Sequence, residues 1–205
     1  MGLRTFSSAL LLCSSLVFGS CSIPFPGSDE VILLGLIGKM RYLFVTSTTY
    51  TGALGGISGA DAKCQSSKDT DAPTLPGLGI EYSAIIAGVG RTPGGAGWPL
   101  FAHTKYYTNT PATNTLVFHT SGSALPILPM DSASGIPGAG LNYWTGIADA
   151  AFTPSGNAGD CINWSSSLVT DPGDYGASGD PTIGAFNQGF ANTCDQLLSL
   201  LCVRN

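Results

Sequence analysis

Residues 55–64 read Gly55-Gly56-Ile57-Ser58-Gly59-Ala60-Asp61-Ala62-Lys63-Cys64. A glycine turn closes at Gly56. Ser58, followed three residues later by Asp61, resembles a capping box, in which side-chain oxygens satisfy the free N–H groups of a helix's first turn. The pattern predicts a helix with Ser58 as its N-cap and Cys64 about two turns further on. Just upstream, Arg41–Tyr50 is rich in Tyr, Phe, Val and Thr and reads as a strand. A strand, a glycine turn and a cysteine-bearing helix thus follow one another at the start of the domain.

Reading outward, the elements are short and widely spaced. Tyr82–Val89 is an ordered segment that fits helix or strand. Arg91–Trp98 is a glycine-rich loop, and Leu116–His119 a short strand. Leu141–Ile147 and Cys161–Val169 both read as strands, joined by a loop carrying Pro154 and Gly156. Residues 170–182 form an acidic Gly/Pro loop, and Leu197–Val203 reads as a buried last strand. The chain holds 28 glycines and 13 prolines in 205 residues, with only 10% charged, so a loop-rich fold of strands and turns is expected. No internal repeat is found.

The N-terminal end sets the compartment. Arg4 supplies a positive n-region, Ala9–Phe18 a mostly apolar core, and Gly19-Ser20 the small residues that a signal peptidase needs. Cys21 follows at once, which is the pattern of a bacterial lipoprotein signal. Residues 1–20 are therefore expected to be removed and Cys21 to carry lipid, with localisation in the outer membrane, at the cell surface. Residues 21–40 comprise a Pro-containing tether (22–30) and the apolar run Val31–Gly38, too short for a membrane span of about 20 residues. The domain itself is placed at 41–205, and membrane contact is expected through the lipid anchor only. Cys64, Cys161, Cys194 and Cys202 remain in the exported domain, an even number that points to two disulfides. Four cysteines allow three pairings, and spacing alone does not choose among them.

Several motifs line up in one order: Phe44-Val45-Thr46-Ser47, Gly55-Gly56-Ile57-Ser58-Gly59-Ala60-Asp61, Cys64, Tyr143-Trp144-Thr145-Gly146, Cys161 with Trp164, Cys194, and Leu201-Cys202-Val203. The arrangement resembles endostatin, and more closely the endostatin-like surface lipoproteins of leptospires, whose domain is largely of unknown function. The resemblance covers residues 41–205 and is loosest over 90–140. It implies a C-type-lectin-like α+β domain with nested disulfides, Cys64–Cys202 and Cys161–Cys194. The long bridge would then tie the first helix to the last strand, and closing such a loop is worth on the order of 4–5 kcal/mol in the chain-entropy model. The same resemblance implies adhesion or immune evasion, by binding host extracellular matrix or complement-regulatory proteins. Departures from the pattern matter as much. No histidine precedes His103, so endostatin's zinc site is not carried over. Arg41, Arg91 and Arg204 are scattered, so heparin binding is not either. Asn163-Trp164-Ser165 stands where true C-type lectins have Trp-Asn-Asp, and no Glu-Pro or Gln-Pro is present, which removes the main support for calcium-dependent sugar binding.

The residues themselves point to binding rather than catalysis. The chain has two histidines, His103 and His119, and no G-x-S-x-G, H-E-x-x-H, P-loop or G-x-G-x-x-G motif. No enzyme activity, cofactor or metal is expected. Asp171, Asp174 and Asp180 could supply oxygens to calcium, but a solvated loop is the plainer reading. Thirteen acidic against eight basic residues leave no basic stripe for nucleic acid. Trp144 and Trp164 are expected in the core. Trp98, Phe101, Tyr106, Tyr107 and Tyr175, in or near the loops, are the candidate binding residues, as exposed rings that anchor protein interfaces. The other function class is a structural or carbohydrate-binding envelope lipoprotein with no host partner. Oligomeric state is left open.

Overall fold

The computed structural model describes residues 40–110, 113–138 and 140–205. The signal peptide, Cys21, the tether and the apolar run expected before residue 40 lie outside the described residues.

The described residues form an α+β fold, mostly sheet, with one long helix among them. Strands β1 (Arg41–Val45), β2 (Tyr82–Ala84), β3 (Lys105–Thr110), β4 (Thr113–His119), β5 (Asn142–Trp144), β7 (Tyr175–Ala177) and β9 (Ser199–Arg204) form one sheet, ordered β4-β3-β1-β9-β5-β7 with β2 also on β9. The pair β6 (Pro172–Gly173) and β8 (Asn192–Thr193) stands apart. The last strand of the sequence is the centre of the sheet. On one side β9 pairs antiparallel with β1, Phe44 opposite Cys202. On the other it pairs in succession with β2, Ala84 opposite Cys202, and with β5, Trp144 opposite Leu200.

Side chains alternate across this sheet with period two, and both faces are covered. Tyr42, Phe44, Trp144, Leu200 and Cys202 face one core with Ala60 and Cys64 of the helix. Leu43, Tyr143, Leu201 and Val203 face the other, built with Val117, Phe118, Ile136 and Phe186. A strand buried on both faces reads as an unbroken apolar run, which is why Leu197–Val203 is recognisable in the sequence. Helix α1 (Gly56–Asp71) lies on the first face.

The disulfides are Cys64–Cys202 and Cys161–Cys194, with Cα atoms 5.6 and 5.7 Å apart. The first joins α1 to β9 and the second lies nested within its span, as the resemblance implied.

Four expectations need correction. The strand beginning at Arg41 stops at Val45, although Tyr50 still exchanges backbone hydrogen bonds with Leu198. The helix begins at Gly56 with Gly55 as N-cap at φ 87°, so Ser58 sits inside its first turn rather than capping it. A side chain at position 59 would collide with the Leu54 carbonyl, so the glycine motif serves a close approach at the helix start. Tyr82–Val89, read as helix or strand, is strand only over β2 (Tyr82–Ala84), which a 3₁₀ turn (Gly79–Glu81) precedes. Cys161–Val169 is not a strand: Cys161–Trp164 is one helical turn wound left-handed, and a loop follows.

Candidate binding surface

The left-handed turn is the most unusual backbone in the domain. Cys161, Ile162, Asn163 and Trp164 have φ of 51°, 52°, 54° and 59°. Such a conformation costs an L-residue roughly 1–2 kcal/mol, and a β-branched residue such as Ile162 is a rare occupant. It persists only where surrounding structure over-determines it, and that structure is visible. Asp160 accepts a hydrogen bond from the Asn163 N–H at 2.8 Å, and the Ser165 and Ser166 N–H groups both donate to the Cys161 carbonyl. Cys161 is fixed by its disulfide to Cys194, whose carbonyl accepts from the Gly52 N–H. Trp164 is wholly buried, donates through Nε1 to the Ala87 carbonyl at 2.7 Å, and packs on Trp144 at 6.0 Å between ring centroids. The Asn163 side chain accepts from the Val89 N–H at 3.1 Å. Both tryptophans are core residues, as expected.

What the braced turn displays is aliphatic. Ile162 is 47% exposed, and Val89, held beside it through Asn163, is 70% exposed. The following loop adds Leu168 and Val169, at 61% and 63%. That loop is tied back to the same bridge: the Ser166 N–H donates to Cys161, the Asp171 N–H to Leu168, and the Cys194 N–H to Asp171. Four large apolar side chains thus stand exposed on segments that hydrogen bonds tie to the turn at Cys161 and to its bridge. Isolated exposed apolar residues are ordinary, whereas a grouped set on a rigid support marks an interaction surface.

The aromatic residues expected to form the surface behave differently. Phe101 is 45% exposed, with the Arg41 guanidinium 4.6 Å from its ring centroid. Tyr107 is half-buried on β3 beside Tyr42. Trp98, expected in an exposed loop, is 9% exposed and donates Nε1 to the Ala124 carbonyl. Tyr106 is fully buried, its hydroxyl pushed up to about 12 by burial and accepting from the Phe101 N–H. Tyr175 is 6% exposed, packed edge-on to Phe190. Of the five rings, Trp98, Tyr106 and Tyr175 go into the core and Phe101 stays exposed.

The acidic loop holds itself together. Asp171 accepts from the Ser166 hydroxyl, and Asp180 from the Thr182 N–H and hydroxyl. Asp174 is buried and accepts from the Ser155 hydroxyl; burial raises its pKa above the usual carboxylate value, partly offset by that bond. Among the described residues no group of three or more His, Cys, Asp or Glu side chains is placed to hold a metal ion. His103 lies in a turn, and His119 pairs with Asp131 at 2.7 Å, joining β4 to the segment after it.

Fold and surface together define a disulfide-stapled α+β domain presenting a rigid aliphatic surface. The chain belongs to the family described as a protein of unknown function (DUF1554), whose model matches residues 47–180. That span holds Cys64 and Cys161 but ends before their partners and before β9. Among curated proteins none matches it.

Proposed function

We propose that this is an exported, lipid-anchored surface protein whose domain binds a protein partner through the aliphatic surface around Cys161–Cys194, and that it is not an enzyme. The observation that carries the reading is the exposure of Val89, Ile162, Leu168 and Val169 on segments hydrogen-bonded to the left-handed turn at Cys161–Trp164 and its disulfide. Two disulfides suit an oxidising compartment, in keeping with the Gly19-Ser20-Cys21 signal. The nested pairing and a helix bridged to the last strand favour assignment to the C-type-lectin-like, endostatin-like kind of fold. On that resemblance the partners are host extracellular matrix or complement-regulatory proteins. A sugar-binding role gains less, because the tryptophans it would stack on are buried.

The test is binding of the purified protein to a panel of matrix proteins and complement regulators across a salt series, for wild type, Ile162→Asp and Leu168→Asp. Apolar contact predicts little dependence on salt, since few cations are available to release counterions. Either aspartate should weaken binding at least about tenfold, equal to about 1.4 kcal/mol. Collapse of affinity with modest salt, together with normal binding by both variants, would show that charge holds the partner and the surface is misassigned.

A further inference from the structure

We propose that Leu78, Ile80 and Phe101 form a membrane-facing foot, which dips into the headgroup region of the bilayer that holds the anchor. The inference rests on the lipid-anchored reading and adds a second, non-covalent membrane contact to it.

Leu78 and Ile80 are 70% and 74% exposed, among the most exposed large apolar side chains described. They sit at the tip of Pro76-Gly77-Leu78-Gly79-Ile80-Glu81, and this tip is rigid. The Glu81 N–H donates to the Leu78 carbonyl at 3.0 Å, and the Leu78 N–H donates back to the Glu81 carboxylate at 3.2 Å. The Tyr82 hydroxyl donates to the Pro76 carbonyl at 2.7 Å. Gly79 lies so close to the Gln65 carbonyl of α1 that any side chain there would collide with it. A loop fixed at this many points and still holding two aliphatic side chains outward is built to present them.

The foot surrounds the place where the chain enters the domain. The Asn205 N–H donates to the Glu81 carbonyl at 2.7 Å, and the Arg41 guanidinium donates to the Asn205 carbonyl. Arg41 also lies over the ring of Phe101, 45% exposed. Contacts therefore run from Ile80 through Glu81, Asn205 and Arg41 to Phe101, and Arg41 is the second described residue. Everything that would tether the domain, Cys21 and the apolar run Val31–Gly38 included, joins at this point. The tether therefore joins the domain beside this tip, and the tip lies at the rim nearest to where the anchored segment attaches. The surface chemistry suits that neighbour. Glu81 is paired with Arg204 at 2.6 Å, and apolar side chains beside arginine stems match an interface that is apolar below and polar above.

The experiment uses the full-length lipidated protein in phosphatidylcholine vesicles with brominated acyl chains, which quench tryptophan on contact. The native tryptophans are all buried and give a constant background. Ile80→Trp and Leu78→Trp replace exposed side chains, and Leu168→Trp serves as control at the other end of β9. Strong quenching of the added fluorescence at 78 and 80, with little at 168, is the expected result. Flotation of wild type and of Cys21→Ala with the vesicles reads the anchor separately. Flotation without quenching at 78 and 80, or equal quenching at all three positions, overturns the foot alone. Blue-shifted but unquenched emission at 78 and 80 would mean that protein, not lipid, covers the tip, and also overturns it. Failure of the wild type to float overturns the foot together with the anchor.

Discussion

At the scale of single residues, Ile162 concentrates the conflict between stability and use. It has φ of 52°, which costs a β-branched residue roughly 1–2 kcal/mol, yet nearly half its surface faces solvent and recovers little of that by burial. Glycine adopts this φ freely but is entropically poorer by about 0.5–1 kcal/mol. Ile162→Gly should therefore leave the folded domain as stable or up to about 1 kcal/mol more stable, with a melting temperature equal or slightly raised, while partner binding falls. A clear drop in melting temperature would mean that the side chain is there for packing. The turn itself was not legible in the sequence. Cys-Ile-Asn-Trp has the composition of a strand, and its left-handed winding is imposed by the Asp160 cap and two buried anchors, which come together only in three dimensions. Trp98 misleads for a related reason: a Gly/Pro loop reads the same in sequence whether it swings into water or lies over the core. Leu168-Val169, between Ser165-Ser166-Ser167 and Thr170-Asp171-Pro172, was the available sign of exposed aliphatic residues, and a strand reading absorbed it.

At the scale of elements, α1, β2 and the loop after it are joined by one buried ion pair. Arg91 donates to both oxygens of Asp61 at 2.9 and 2.7 Å and to the Ala84 carbonyl at 3.0 Å, and the Ala84 N–H donates back to Asp61. The two side chains are 9% and 17% exposed. Losing one member strands a charge in low dielectric, so Arg91→Met should cost about 3 kcal/mol, read from the urea midpoint. The double variant Asp61→Leu with Arg91→Met removes both charges and should lose less than the single variant. If the double variant loses as much or more, hydrogen bonding to β2 matters more than the stranded charge. In the sequence Asp61 reads as half of a helix cap; the structure gives it this other task, because the helix starts three residues earlier than a Ser58 cap implies. Elements with a strong period or composition, β9, α1 and the core of β1, were readable. Their ends were not, since a strand such as β5 stops where its neighbour's backbone departs rather than where its own residues change.

At the scale of the whole molecule, the two apolar surfaces lie at opposite ends of β9. Cys194 and its loop precede Ser199, and Glu81 and Arg41 gather around Arg204 and Asn205, about 17 Å away along a six-residue strand. A domain standing on the Leu78–Ile80 tip would hold the Ile162 surface outward. Stability of the whole should also carry a pH signature from Asp174. Its pKa is raised by burial, so the folded chain keeps the proton to higher pH than the unfolded chain, whose carboxylate titrates near about 3.9. The sign follows from linkage: the stability Asp174 contributes is full below the unfolded value and is lost as pH rises through the folded one. Asp174→Asn keeps an oxygen for the Ser155 hydroxyl and has no charge to bury, so it should melt higher than wild type at neutral pH, with the gap closing toward pH 3 (about one unit below a free aspartate). A gap independent of pH would assign the effect to packing. The central place of β9 also carries a consequence for how the chain is made. In a chain delivered from its N-terminus β9 follows every strand it joins: β4-β3-β1 and β5-β7 can each pair without it, but only β9 links the two groups and supplies the partner of β2 and of Cys64. A chain being threaded through a translocation pore therefore holds two unjoined parts of one sheet until residues 199–204 have passed.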